Sequence, residues 1–152
     1  MIQNRLSDAL ARFVTPLLRR PPLLQVAALC TRGTGEDRKV LLVSTRRSGR
    51  WILPKGWPMT GRSLAEAAEQ EAWEEAGVRG RAAREPLGRF TARKTVGRGL
   101  GMRAMVQVHE VAVESVQDDF PEAGERKREW VSPAEAASMV DEPGLKDILR
   151  RL

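Results

Sequence analysis

Cysteine, histidine and tyrosine are nearly absent from this sequence, which has one cysteine, one histidine and no tyrosine. The single cysteine, Cys30, excludes an internal disulfide, and its place in an apolar run predicts a core residue in a reducing compartment. No apolar run approaches the roughly 18 residues that a membrane span needs. Arg5, Asp8 and Arg12 interrupt any signal-peptide core. We therefore expect a cytoplasmic protein with no membrane partner.

Signals for nucleic-acid recognition are also missing. The chain has neither an aromatic-rich basic strand surface nor a helix-turn-helix pattern, so no specific nucleic-acid partner is expected. The glycine-rich stretch at residues 97–101 does not lie between a strand and a helix, so it is not a dinucleotide fingerprint. It predicts either an ordinary hairpin turn or a mobile loop over a site. What the chain does have is a net charge of +6, which favours an anionic partner.

The chain divides at Pro21-Pro22 into a short N-terminal segment and one domain. Residues 2–18 have apolar side chains at helical spacing, so residues 1–22 are predicted to form an amphipathic helix. That helix would pack on the domain or on a second copy of it, which leaves a homodimer open; a membrane-surface helix is the alternative. Residues 23–152 are long enough for a single domain with its own core.

Within residues 23–152 the apolar periodicity changes repeatedly between strand and helix. Ser63 with Glu66, and Ser132 with Glu135, are capping boxes that predict the starts of two helices, the first ending at Gly77. A third helix is predicted near 144–152, and His109 is predicted to be a structural residue in a strand. The elements lack regular βαβ alternation, so we expect an α/β domain with a mixed sheet between helices. Strands are predicted near 23–31, 39–45, 51–53, 88–94, 102–113 and 127–131.

The helix predicted between Ser63 and Gly77 has an acidic stripe. At about 100° per residue, Glu71, Glu74 and Glu75 share an arc of roughly 100° with small and apolar residues of the preceding turns. Three carboxylates on a core-facing stripe repel one another and are costly to desolvate, so a compensating cation is expected. Mg²⁺ prefers such oxygen ligands together with water and substrate phosphates. A merely solvated acidic face is the alternative.

The same segment resembles the Nudix box, Gly-x5-Glu-x7-Arg-Glu-U-x-Glu-Glu-x-Gly-U, where U is a bulky apolar residue. The resemblance implies an α/β/α sandwich in which the box forms a loop-helix-loop catalytic motif, and it implies hydrolysis of a pyrophosphate bond. It also implies that Glu71, Glu74 and Glu75 are catalytic and bind Mg²⁺, with Mn²⁺ able to substitute. The matching positions are Gly56, Glu71, Glu74, Glu75, Gly77 and Val78.

Two positions depart from the box. Arg62 stands where the pattern has its first Glu, and Gln70 stands where the pattern has the Arg that would orient a nearby glutamate. These departures would lower metal affinity, shift substrate choice, or mark a relative without activity. The alternative function is therefore a catalytically weak or inactive Nudix-fold module that binds a nucleotide or RNA.

The flanks of the box narrow the resemblance. Residues 48–57 and 130–136 look like the diphosphoinositol polyphosphate phosphohydrolase branch, and the likeness extends over roughly 23–140. It implies a small polyphosphorylated substrate: a diphosphoinositol polyphosphate, a dinucleoside polyphosphate or a nucleoside polyphosphate. Arginine and lysine side chains bind phosphate oxygens, and several precede the box. We predict substrate binding by Arg46, Arg47, Arg50, Lys55 and Gly56.

Overall fold

A computed structural model of the chain describes residues 23–96 and 100–152. The predicted N-terminal helix and residues 97–99 of the glycine-rich turn lie outside the described residues. The strands are β1 (Leu23–Arg32), β2 (Lys39–Ser44), β3 (Trp51–Ile52), β4 (Lys55–Gly56), β5 (Val78–Ala82), β6 (Gly88–Val96), β7 (Leu100–Val116) and β8 (Arg128–Val131). The helices are α1 (Leu64–Ala76), α2 (Pro133–Met139) and α3 (Pro143–Arg150), with a 3-10 turn at Gly35–Asp37.

In the described part of the chain, all eight strands belong to one mixed sheet. The main order is β3-β2-β1-β7-β5, while β4 pairs with β1, β6 with β7 and β8 with β2. The central strands β1 and β7 run parallel over nine residue pairs, and the other pairings are antiparallel. The predicted mixed sheet is therefore confirmed.

Strand β1 shows how the sheet separates two cores. Successive side chains of a strand point to opposite faces. Val26, Ala28 and Cys30 pack in the cluster that includes the alanines of α1, whereas Ala27 and Leu29 pack in the cluster that includes α2 and α3. Helices thus cover both faces, which confirms the predicted α/β/α sandwich. Cys30 is fully buried, and burial raises the pKa of its thiol to about 12, as suits a core residue.

Helix α1 is held at both ends by local signals. Ser63 Oγ accepts a hydrogen bond from the Glu66 amide at 3.1 Å, and Gly77 ends the helix at a φ of 68°, a left-handed conformation that favours glycine. The sheet-facing residues of α1 are small, which lets the helix lie close to the strands. Ala67, Ala68, Ala72 and Ala76 are fully buried there. The box is thus a loop-helix-loop joining β4 to β5, as predicted.

Two strands were not predicted from the sequence. Strand β4 has only two residues and exists because Gly56 and Lys55 pair with Val26 and Ala27 of β1. Strand β5 contains Gly80 and a register shift beside it, so its sequence lacks a clear alternation. Glu69 of α1 also binds β5: its Oε1 accepts a hydrogen bond from the Ala82 amide at 2.8 Å.

The predicted helices after Ser132 and near 144–152 are present as α2 and α3, and the structure also describes His109. It is buried in β7, with Nδ1 2.7 Å from the Ala83 carbonyl oxygen and Nε2 2.9 Å from Gln107 Nε2. A ring with both nitrogens engaged is structural, as predicted.

None of the helices in the described part of the chain has the length and apolar character that a membrane-spanning helix needs.

Candidate active site

All eight site residues predicted from the sequence line a single cavity of about 810 Å³. Strands β3 and β4 and the loop before them form one wall, and the middle of α1 forms another. The segment between β7 and β8 closes the cavity with Glu122 and Arg126. The predicted residues in its lining are Arg46, Arg47, Arg50, Lys55, Gly56, Glu71, Glu74 and Glu75.

Glu71 occupies space that only glycine leaves open. It is 8% exposed, and its carboxylate lies directly against Gly56. A Cβ built on Gly56 would overlap Glu71 Oε1 and lie within 2.8 Å of Oε2. Gly56 does not have a positive φ, so close approach rather than backbone conformation requires a glycine here.

Glu75 is held between two donors. It is 6% exposed; its Oε2 accepts the Lys55 amide at 3.1 Å, and its Oε1 faces Arg126 Nη2 at 3.3 Å. The side chain of Arg126 is only 8% exposed, and it also donates to the Ser44 carbonyl at 3.1 Å and to Glu122 Oε1 at 3.4 Å. This arginine therefore ties α1, the end of β2 and the segment before β8 to one carboxylate.

Glu74 lies half-buried at the cavity wall, and its side chain accepts a hydrogen bond from another residue of α1. Gln70, one turn earlier, donates from Nε2 to Glu74 Oε1 at 2.8 Å. Gln70 Oε1 in turn accepts from Arg62 Nη1 at 2.9 Å. The two departures from the box are thus bonded to each other.

The cavity raises the proton affinity of its two buried carboxylates. Burial, followed by repulsion from Glu74 and Glu122, raises the pKa of Glu71 to about 7 against the attraction of Arg126. Burial also raises the pKa of Glu75 to about 7, while Arg126 and the Lys55 amide oppose the rise. The cations around Glu71 and Glu75 do not fully offset the cost of ionising these carboxylates, so an added cation would stabilise both ionised forms.

The donor set fits a hard divalent cation. Carboxylate oxygens beside phosphate-binding side chains suit Mg²⁺, which takes a few carboxylates together with water and substrate phosphates. Across residues 23–96 and 100–152, no three Asp, Glu, His or Cys side chains converge closely enough to enclose an ion. The carboxylates and the cations of the cavity suit an ion that takes water and substrate phosphates as its other ligands.

The cations of the cavity differ in how firmly they are held. Arg46 is 58% exposed and pairs with Glu122 at 2.9 Å, while Arg50 is half exposed and lies 3.6 Å from Asp141. Exposed pairs of this kind are weak, so phosphate oxygens can replace them. Arg47 is exposed and has no ion pair in the part of the chain that the structure describes. Lys55 also lines the cavity and takes part in an interaction of its own.

The lining also includes residues that were not assigned to the site from the sequence, among them Arg126, Gln25 and Arg93. Arg126 looked like one more cation of the Arg126-Lys127-Arg128 run, and only its burial distinguishes it. Gln25 is 3% exposed in β1, and its buried Oε1 has no hydrogen-bond partner among the described residues. Arg93 of β6 flanks the glycine-rich turn, the one signal that pointed to it, and it is exposed at the cavity.

Comparison with known proteins agrees with this geometry. Residues 22–152 match the family model of the NUDIX domain. Bovine diphosphoinositol polyphosphate phosphohydrolase 3-beta is 31% identical over 118 residues, covering 76% of this chain and 68% of that protein. Diphosphoinositol polyphosphate phosphohydrolase 2 of Rattus norvegicus is 30% identical over 132 residues, covering 84% and 69%.

The fold is shared with solved structures as well. The crystal structure of the C. elegans Ap4A hydrolase superposes with a TM-score of 0.60 at 17% identity, covering 86% of this chain and 96% of that one. This likeness concerns the fold, whereas the family model and the curated relatives concern the sequence. The chain therefore belongs to the Nudix family, in the branch of the diphosphoinositol polyphosphate phosphohydrolases, and is a Nudix-type pyrophosphohydrolase.

Proposed function

We propose that this chain hydrolyses a phosphoanhydride bond in a nucleoside polyphosphate, a dinucleoside polyphosphate or a diphosphoinositol polyphosphate, and that it does so with Mg²⁺. One observation supports this proposal above the others: in the part of the chain that the structure describes, the three box glutamates and six cationic side chains line the same cavity. Carboxylates to hold a metal and cations to hold phosphates are the two requirements of phosphoryl chemistry. The cations are Arg46, Arg47, Arg50, Lys55, Arg93 and Arg126.

Glu71, Glu74 and Glu75 would hold the metal, and Mn²⁺ would be able to replace Mg²⁺. When bound, such an ion neutralises phosphate charge and acidifies a coordinated water. Arg126 and the Lys55 amide keep Glu75 in place, and Gly56 leaves room for Glu71. These contacts give Glu75 and Glu71 defined positions before substrate arrives, and the three carboxylates would converge on the ion when it binds together with substrate.

Proton transfer is assigned to the buried carboxylates. Without a metal, burial raises the pKa of Glu71 and of Glu75 to about 7. A bound cation lowers both pKa values, so the carboxylates are ionised at neutral pH, and either would accept a proton from the attacking water. The water oxygen bonds to phosphorus as the bridging P–O bond breaks, which leaves two phosphate-terminated products. Arg50, Lys55, Arg46 and Arg47 would bind the phosphates that do not react.

The shape and charge of the cavity support the proposed substrate class. A volume of about 810 Å³ accommodates a ligand larger than a single phosphate group, and its cations suit several phosphates at once. The sequence relatives are named for diphosphoinositol polyphosphates, and a structural neighbour for Ap4A. The cytoplasmic location and the homodimer remain predictions from the sequence.

Turnover of a substrate panel tests the proposal. Purified protein would be incubated with Mg²⁺ or Mn²⁺ and a diadenosine polyphosphate, a nucleoside triphosphate, ADP-ribose or an inositol pyrophosphate, with products separated by chromatography. We expect metal-dependent hydrolysis that EDTA abolishes. In Glu75→Ala, kcat should fall at least about 100-fold, because a metal-holding carboxylate is lost.

The matched control is Glu129→Ala, an exposed glutamate on β8 that does not line the cavity. It should keep full turnover, and circular dichroism should show the same fold for both variants. Near-normal turnover in Glu75→Ala would contradict the site assignment. Tight binding across the panel without turnover under either metal would instead favour a module that binds its ligand without cutting it.

A further inference from the structure

The two departures from the Nudix box form a continuous hydrogen-bonded path to a cavity carboxylate. Arg62 Nη1 donates to Gln70 Oε1 at 2.9 Å, and Gln70 Nε2 donates to Glu74 Oε1 at 2.8 Å. Glu74 lines the cavity, whereas Arg62 is exposed on the other side of Gln70. Positions that look like independent losses in the sequence are therefore physically connected.

Local structure places the three residues in line. Gln70 and Glu74 are four residues apart on α1, so their side chains share a face of the helix. Arg62 closes a turn in which its amide donates to the Met59 carbonyl at 3.1 Å and Gly61 has a φ of 77°. A positive φ at the third position is what a type II turn requires.

Helix stability does not account for Arg62. The residue lies two positions before the first residue of α1, where the helix dipole disfavours a positive charge. Its guanidinium makes no ion pair in the described ranges, and its side-chain hydrogen bond goes to a neutral amide. The hydrogen bond to Gln70 is therefore the contact that accounts for an arginine at position 62.

The chemistry of the groups determines the direction of the path. An arginine has donors only and a carboxylate has acceptors only, so the amide between them must turn its oxygen to Arg62 and its nitrogen to Glu74. If the amide turned over, both hydrogen bonds would be lost. Arg62 thus selects the one orientation of Gln70 that donates to Glu74. No hydrogen bond of Glu74 Oε2 is found among the described residues.

We propose that Arg62, acting through Gln70, is a positioning residue for Glu74: the path holds Oε1 and leaves Oε2 available for a divalent cation. The box pattern has a Glu at position 62 and an Arg at position 70. In this chain the arginine is at position 62 instead, and the Gln70 amide connects it to Glu74. The inference rests on the proposed metal-dependent function. It implies that the two departures compensate each other rather than abolish the site.

Metal binding and turnover measured in parallel test the path. Mn²⁺ affinity would be measured by electron paramagnetic resonance or titration calorimetry on the full chain, without substrate, beside kcat and KM. Gln70→Leu should weaken Mn²⁺ binding by about 10-fold, the effect typical of groups that orient a metal ligand. Arg62→Met should weaken it by about 3- to 10-fold. The double variant should be no weaker than Gln70→Leu, because Arg62 acts only through that amide.

A double variant that restores the box residues at positions 62 and 70 tests whether Mn²⁺ affinity can be recovered. Arg62→Glu alone should weaken Mn²⁺ binding at least as much as Arg62→Met, since a carboxylate at position 62 would draw the Gln70 amide nitrogen away from Glu74. The double variant Arg62→Glu with Gln70→Arg recreates the box arrangement and should recover affinity to within about 3-fold of the unmodified chain. The control is Arg84→Met, an exposed arginine after β5 that does not line the cavity and should bind Mn²⁺ normally.

Each outcome separates the inference from the proposed function. If the unmodified chain neither binds Mn²⁺ nor turns over any substrate, the proposed function fails and this inference fails with it. If the unmodified chain is active but Arg62→Met binds Mn²⁺ normally, the inference alone is overturned. Multiplied losses in the Arg62→Met, Gln70→Leu double variant would also overturn it, because they would mean that the two residues act separately.

Discussion

Gly56 shows at the scale of one residue why a box position must be glycine. Its backbone conformation is open to other residues, but the Glu71 carboxylate fills the place where a Cβ would lie. The atom in the way is the end of a side chain and not backbone, so the fold can adapt by moving Glu71. A substitution here should therefore affect chemistry far more than stability.

We predict that Gly56→Ala lowers kcat by about 10- to 100-fold, because a displaced metal-holding carboxylate has effects of this size. The free energy of unfolding should fall by less than about 1.5 kcal/mol, since only a flexible side chain is displaced. Enzyme assays and urea unfolding would measure the two quantities. Gly101→Ala is the control, because a Cβ there meets open space. A loss of stability as large as the loss of activity would contradict this explanation.

The joining of separate elements is visible at Arg126. Arg126 lies in the segment after β7, which has no strong secondary-structure signal in the sequence. The Arg126 guanidinium nevertheless contacts α1 through Glu75 and β2 through Ser44. Removing one partner of a buried ion pair leaves the other charge unpaired, which is costly. The cost depends on whether Glu75 is ionised, so it should depend on pH.

We predict that Arg126→Met destabilises the metal-free protein by about 3 kcal/mol at pH 8. The loss should be clearly smaller at pH 5. Arg126 lowers the pKa of Glu75, so without it the pKa rises above its present value of about 7. An acid whose pKa is higher in the folded state than in the unfolded state lends stability below its unfolded pKa. That stability is lost as the pH rises through the folded pKa.

Urea unfolding in EDTA at the two pH values would measure this difference. Arg128→Met is the matched control, since Arg128 donates to the Ala76 and Gln117 carbonyls and pairs with the exposed Asp118 rather than with a buried acid. Its loss of stability should be similar at pH 5 and pH 8. Equal losses at both pH values for Arg126→Met would show that Glu75 does not depend on this arginine for its charge.

Charge acts at the scale of the whole molecule. The chain has a net charge of +6, and among the described residues its cavity combines six cationic side chains with four glutamates. A positively charged cleft attracts an anionic substrate from a distance, and salt screens that attraction. Substrate capture should therefore respond to ionic strength, while the chemical step inside the cavity should not.

We predict that raising NaCl from about 50 to 200 mM increases KM several-fold and leaves kcat within about two-fold, because long-range attraction is screened more than contacts in the site. Steady-state kinetics at a constant concentration of free Mg²⁺ would measure both. Arg47→Gln should have a higher KM at low salt and a weaker salt dependence, whereas Arg84→Gln should behave as the unmodified chain does. A fall in kcat with unchanged KM would argue against capture by charge.

Local signals in the sequence determined helix α1 and its acidic stripe. Ser63, Gly77 and the helical spacing of Glu71 and Glu75 act over a few residues, so their outcome does not depend on distant parts of the chain. The mixed sheet was likewise predicted from the lack of regular βαβ alternation, Cys30 as a core residue from its apolar run, and His109 as structural from its place in a strand. These features follow from periodicity and capping, which are properties of neighbouring residues.

Only the tertiary structure decided which distant residues meet at the site. Arg126 approaches Glu75 because β8 returns to pair with β2, and β4 forms because β1 is beside it. The connection from Arg62 to Glu74 likewise depends on how the turn before α1 directs a side chain back along the helix. In the sequence, Arg62 and Gln70 look like two losses. Hydrogen-bond geometry joins them into one path, because an amide can link a donor to an acceptor only in one orientation.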